Sequence, residues 1–250
     1  MRWTRSAVAR VGGICRLASR LARLAGIALS VPHLLSAQSV SPPIAEYQQR
    51  ARSSFRLSNG TLYPLNVVLE LRGFQVTEQG EVVDAPLDTT HLHVKLSAMS
   101  FRIPPRGGYT VFYEATADSL PAWFTILSAM TGARADNGLN VRILLPHVVY
   151  LNQKHPLQAE DVAIRAVVLD TATHRVRVQL ENLSPRLGRV LEVAAIAGHV
   201  RTAPIGGFPL FPYMRRWTEA TWDGAVPPAR VTVRTARFTL DTTLRVAGSR

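Results

Sequence analysis

Among 250 residues there is a single cysteine, Cys15. Once the N-terminus is removed no thiol is left, which excludes a disulfide framework and a cysteine metal site. Gly12-Gly13-Ile14 ahead of Cys15 is not the small-residue pattern of a lipidation site. Lysine is almost as scarce, at Lys95 and Lys154 only, so the positive charge is arginine. No apolar run reaches the roughly twenty residues that a membrane-crossing helix needs, so no stable membrane insertion is expected. No Gly-x-Ser-x-Gly elbow and no glycine-rich phosphate loop between a strand and a helix occurs. No dense basic run with interleaved aromatics occurs either, which argues against nucleic acid as a partner.

Net charge is +12, and residues 1–37 hold Arg2, Arg5, Arg10, Arg16, Arg20 and Arg23 without one acid, so taking those six from +12 leaves +6 for the rest. The arginine-rich start runs into Leu24-Ala25-Gly26-Ile27-Ala28-Leu29-Ser30-Val31, and Leu35-Ser36-Ala37 offers a small residue before Gln38. This is the order of a secretory signal. A basic helix lying on a membrane surface is the competing reading; Pro32 and His33 break its pattern. Residues 1–37 are therefore expected to be a cleaved signal peptide and the mature protein to be exported.

Sixteen prolines and sixteen glycines punctuate the chain, and no helical period stands out, which favours short strands. Apolar alternation appears at Phe55 and Leu57, at Leu65, Val67, Leu69 and Leu71, at Leu92, Val94 and Leu96, and at Tyr109, Val111 and Tyr113. Asn59-Gly60 reads as a tight turn, Gln79-Gly80 and residues 84–90 as loops, and Trp123, Phe124 and Ile126 as core. About seven strands over the first hundred or so residues read as a β-sandwich. A polar stretch at 152–158 with Pro156 reads as a linker. Beyond it, Val162–Leu169, then Val176, Val178 and Leu180, Val190–Ile196, a turn at 208–212 and a closing stretch at 230–246 make a second all-β unit. The expected domains are residues 38–153 and 154–250.

One stretch stands out. Leu139, Val141, Ile143 and Leu145 alternate with Asn140, Arg142 and Leu144, then Pro146 interrupts and His147-Val148-Val149-Tyr150-Leu151 resumes. A proline cannot donate to a ladder, so it demotes the run to an edge strand or one broken by a bulge. A long apolar edge invites aggregation unless another chain is meant to pair there. The alternative is an ordinary buried strand. His91-Leu92-His93 puts two imidazoles on one strand face, a spacing that can bind zinc, but no nearby Cys, Glu or third His completes the site; no metal site, cofactor or catalytic residue is expected.

In order, the signal, Leu57-Ser58-Asn59, Phe101-Arg102-Ile103-Pro104-Pro105, Leu120-Pro121 before an aromatic strand, the long strand around 139–151, Leu180-Glu181-Asn182 and Phe208-Pro209-Leu210-Phe211-Pro212 resemble the periplasmic chaperones of pilus and fimbria assembly, the PapD-like family. The resemblance implies two immunoglobulin-like sandwiches in a boomerang arrangement. It also implies a non-enzymatic periplasmic chaperone whose last first-domain strand, here Leu139, Val141, Ile143 and Leu145, completes an exported pilin-type subunit. An outer-membrane usher is the implied further partner. The family anchors the subunit's C-terminal carboxylate with a lysine on this strand and an arginine on the first strand. His147 stands at the lysine's place, and Pro43 or Ile44 at the arginine's, with Arg50 and Arg52 nearby. The rival function is an exported two-domain adhesion or structural module whose long strand is merely core.

Export is checked by mass spectrometry of the protein recovered outside the cytoplasm. It should lack about the first 37 residues and begin near Gln38. A soluble cytoplasmic protein with an intact N-terminus is the opposite result.

Overall fold

Period-two alternation of apolar side chains builds the elements. In this computed structural model, residues 38–134, 140–201, 206–222 and 226–244 are described; the expected signal peptide and Leu139 lie outside them. The strands of the first part are β1 (Ser39–Ser41), β2 (Ile44–Gln48), β3 (Arg50–Ser58), β4 (Leu65–Val76), β5 (Val82–Ala85), β6 (Leu92–Leu96), β7 (Ser100–Ile103), β8 (Gly108–Ala117), β9 (Ala122–Arg134) and β10 (Asn140–Asn152). A short 3-10 turn at Ala159–Asp161 leads to β11 (Val162–Asp170), β12 (Arg175–Asn182), β13 (Gly188–Ala197), β14 (Val200–Arg201), β15 (Phe208–Leu210), β16 (Arg215–Thr221), β17 (Arg230–Thr235) and β18 (Thr239–Thr243). The expected domain boundary falls between β10 and β11.

Two sheets form the first sandwich. One runs β1-β3-β8-β6, the other β2-β10-β9-β4-β5 with β7 also on β4. Phe55 and Leu57 of β3, Val111 and Tyr113 of β8, Leu65, Val67 and Leu69 of β4, Phe124 and Ile126 of β9, and Val149 and Leu151 of β10 meet in one core. Each such buried side chain contributes about 1.5–3 kcal/mol of transfer free energy. The second sandwich pairs β11-β12-β16 with β14-β13-β17-β18, with β15 on β13. Its core is Val176, Val178 and Leu180 against Val193, Val231 and Val233, closed by Trp222. Phe74 and Tyr150 from the first sandwich pack with Leu187 and Phe211 from the second, and Trp123 donates its indole N–H to the Phe74 carbonyl at 2.9 Å.

β5 and β16 are among the strands that escape a reading by alternation, as is β15, which lies in the expected turn at 208–212. Val82 and Val83 of β5 are exposed, and β16 buries only Ala220. Both are edge strands, each paired with one neighbour among the described strands, so neither needs an apolar face. The Asn59-Gly60 turn is also more than a turn. Asn59 is buried, donates its amide to the carbonyls of Tyr63 (2.7 Å) and Pro104 (3.0 Å), and accepts from the Thr61 N–H (2.9 Å) and hydroxyl (2.7 Å). Asn182 repeats the arrangement in the second sandwich. It donates to Arg186 (2.5 Å) and Phe211 (3.0 Å) carbonyls and accepts from the Ser184 N–H (3.0 Å) and hydroxyl (2.9 Å). A buried side chain here satisfies loop carbonyls that have no ladder partner.

Asn59→Ala and Asn182→Ala should each cost roughly 2–4 kcal/mol in urea unfolding, since several hydrogen bonds of about 1 kcal/mol each are lost and buried carbonyls are left bare. Losses under about 0.5 kcal/mol would contradict this role for the pair.

Candidate functional site

β10 is covered unevenly. Along one side it pairs antiparallel with β9 from Asn140 to Leu151. Along the other, parallel β2 pairs only Val148 to Asn152. The cause lies in the chain start: β1 pairs with β3 in one sheet, and after Pro42-Pro43 the chain enters the other sheet as β2. The outer half of β10, Asn140 to His147, therefore has no described strand on its second side.

The phase of the ladder follows from two bonds. The Val148 N–H donates to the Pro43 carbonyl at 2.9 Å, and the Gln49 N–H donates to the Asn152 carbonyl at 2.9 Å. Even-numbered residues of β10 thus turn their backbone groups toward β2. Alternation carries this to Pro146 and Leu144, whose backbone faces the open side. Pro146 consequently gives up no bond to β9. The strand passes through it in register, with Pro146 opposite Leu127. The irregularity in the pairing lies instead between Val141 and Ile143, opposite the Gly132 region of β9, where φ is +99°.

Side chains divide the same way. Ile143 and Leu145 point inward and pack, partly buried, against the first core. Val141 is 38% exposed and Leu144 50% exposed. On the outer face Leu144 lies opposite Ala129, and Ala129 opposite Val68. Arg142 reaches Glu70 at 3.2 Å, and Glu70 also holds Arg72 at 2.5 Å; the Arg72 hydrogen bond depresses the Glu70 carboxyl's pKa.

His147 is 0% exposed. Its Nδ1 lies 2.6 Å from the Pro42 carbonyl, which can only accept, so Nδ1 carries the proton. Nε2 then accepts from the Tyr113 hydroxyl at 3.0 Å, and Tyr113 in turn accepts from Tyr47 at 2.9 Å. Phe55 stacks on the ring, with centroids 4.6 Å apart. Burial lowers the His147 pKa, opposed by the Pro42 bond, and burial raises that of Tyr113, helped by Tyr47. Both rings are neutral at pH 7. With both nitrogens engaged inside the fold, His147 presents nothing to a carboxylate. The expected anchor is thus placed as an internal tie between β10, β8 and the start of β2. Nor is there a cation at Pro43 or Ile44, while Arg52 pairs with Glu114 at 3.1 Å on β3, in the other sheet. The signal for this tie was Pro42-Pro43, which marks the chain's change of sheet; the hydroxyl partners come from distant strands and leave no local pattern.

His91 and His93 are spoken for by carboxylates, Asp88 at 2.9 Å and Asp118 at 3.7 Å. Among the described residues no group of three or more metal-ligating side chains gathers.

No protein-family model and no curated protein sequence matches the chain. Solved structures do. The chain is similar to the YadV chaperone, with 12% identity and a TM-score of 0.50 over 84% of this chain and 99% of that one. It is similar to a chain of a chaperone–tip adhesin complex of CFA/I fimbriae biogenesis, with 7% identity and a TM-score of 0.50 over 83% of this chain and 98% of that one. The SafB chaperone structure, with SafA pilin from Salmonella enterica, aligns at 12% identity and a TM-score of 0.47 over 84% and 97% of the two chains. The fold is that of the periplasmic fimbrial chaperones. Coverage of 84% takes in both sandwiches, so the likeness to the YadV chaperone is to the whole two-sandwich arrangement and not to one immunoglobulin-like unit. Identities of 7–12% speak for the fold alone.

The buried imidazole has a pH signature. An unfolded histidine titrates near 6.5, and burial holds the folded one lower. Above the unfolded value both states are neutral. Below it the unfolded chain takes up a proton that the folded chain refuses until its lower pKa is reached, so this group subtracts stability as pH falls through that window. The melting temperature should therefore drop from about pH 7 to about pH 5 more steeply in the wild type than in His147→Gln, which has no titrating ring. Equal slopes would mean that His147 is not the buried neutral group described.

Proposed function

We propose that the protein is an exported chaperone that holds a pilin-type subunit by lending it the outer half of β10. The observation that carries this is the one-sided pairing of β10: Asn140 to His147 has β9 on one side and no described strand on the other. An unpaired edge is a template for strand addition. Its side chains suit the task, because Val141, Ile143 and Leu145 stand on alternate residues and would enter an apolar groove in the partner. Burying three such aliphatic groups is worth roughly 1.5–3 kcal/mol each before ordering costs, enough to hold a partner yet leave it exchangeable. One similar structure is described as a chaperone with a tip adhesin, which supports an exported fimbrial subunit as the partner class. Delivery to an outer-membrane usher, and a periplasmic site of action after loss of residues 1–37, belong to the same reading. The domains acting in it are residues 38–153, which hold the edge, and 154–250. With no cation at Pro43, Ile44 or His147, the backbone and the apolar side chains of β10 carry the binding in this reading.

One observation favours the rival reading, an exported adhesion or structural module. Ile143 and Leu145 already pack in part against the protein's own core. Val141 separates the two, because it is more exposed than either. Val141→Asp should leave the melting temperature within a few degrees, as expected for a change at an exposed site. It should also abolish co-purification of the subunit from the periplasm, since a carboxylate entering an apolar groove without a partner is strongly disfavoured. Undiminished capture by a folded Val141→Asp protein would sink the donation reading.

A further inference from the structure

The open half of β10 ends at three prolines. Pro146 turns its nitrogen to the open side, the side that Val148 uses to reach Pro43. Pro42 and Pro43 fill the next position, where the chain enters β2. None of the three nitrogens can donate a hydrogen bond. The carbonyls of Pro42 and Pro43 are already taken, by His147 Nδ1 and by the Val148 N–H. A strand laid along this edge thus meets a complete donor–acceptor pair at Leu144, a lone carbonyl at Pro146, and then protein backbone in its path.

We propose that Pro146, backed by Pro42 and Pro43, is an end-stop that fixes the register of an added strand and keeps this edge from pairing with a second copy of the chain. It rests on the strand-donation reading above. Two identical edges meeting about a two-fold axis would each meet the missing donor, so the defect counts twice in a self-pair. A partner subunit meets it once and brings a groove for Val141, Ile143 and Leu145 besides. The end-stop also describes the occupant. Its pairing ends at Pro146, so it is a short strand. Its residue opposite Leu144 extends the row Leu144–Ala129–Val68 on the outer face, while its neighbours in sequence face inward beside Ile143 and Leu145. The occupant is a strand that is apolar on both faces.

Sedimentation velocity of the exported chain tests this directly. Pro146→Ala restores the donor without adding apolar surface, and Pro146→Val restores it in a better strand former. Both should melt like the wild type, and both should self-associate at least about tenfold more tightly than the wild type. Adding Leu144→Pro, which removes the neighbouring edge donor at a site where an edge proline is tolerated, should cancel this gain in association. The proposal is overturned if the folded single variants stay as monomeric as the wild type, or if the gain survives Leu144→Pro. Its failure is distinct from failure of the donation reading. If capture depends on Val141 while Pro146→Ala stays monomeric, only the end-stop is wrong; if capture ignores Val141, the reading itself falls.

Discussion

The structure depends on where the chain's first strands change sheets. β1 pairs with β3, and a few residues later β2 lies parallel to the far half of β10. Had β2 begun earlier, it would have covered β10 throughout and closed the sheet. Because Pro42 and Pro43 delay it, the sheet carries one half-strand with a neighbour on one side only among the described residues. A hydrogen-bonding edge beside apolar side chains is a poor state to leave in water, and the rest of the site is arranged around that fact.

The tie that holds the change of sheet is polar and buried. His147 accepts from Tyr113 and donates to the Pro42 carbonyl, so β10, β8 and the entry to β2 are joined at a single imidazole. Such a group is costly to charge and is most useful when neutral. This is why a position that the family resemblance assigns to anchoring becomes an internal brace. A lysine there would need a solvated or paired head, and the Phe55 ring and the Tyr113 hydroxyl offer neither. The division along β10 follows: the half from Val148 onward is covered on both sides, and the outer half has β9 on one side and no described strand on the other.

Much of this was legible in the residues. Alternation through Val141, Ile143 and Leu145 marked a strand with an apolar face, and Pro146 narrowed it to an edge strand or one broken by a bulge, with an ordinary buried strand as the alternative. Both statements concern one strand and its own periodicity. The fold class followed from the count and spacing of such strands together with the ordered motifs from Leu57-Ser58-Asn59 to Phe208-Pro209-Leu210-Phe211-Pro212. What escaped is non-local. The pairing of β2 with only half of β10 depends on a register between residues about a hundred positions apart. The fate of His147 depends on Tyr113 and Pro42, far from it in sequence. The Asn59 and Asn182 loop ties repeat an Asn-x-Thr/Ser pattern whose purpose shows only when the distant carbonyls of Pro104 and Phe211 come within reach. β5 and β16 escaped for a simpler reason: edge strands with no buried face carry no alternation to read.

Residue-resolved hydrogen exchange of the partner-free protein measures the open edge without knowing what occupies it. Backbone groups of Ile143 and Leu145 face β9, whereas those of Leu144 face the open side. The Leu144 amide should exchange at least about a hundredfold faster than its two neighbours, which open only with the sheet. If Leu144 is protected as strongly as Ile143 and Leu145, the edge is already paired and the account of β10 as a strand held open for another chain is wrong.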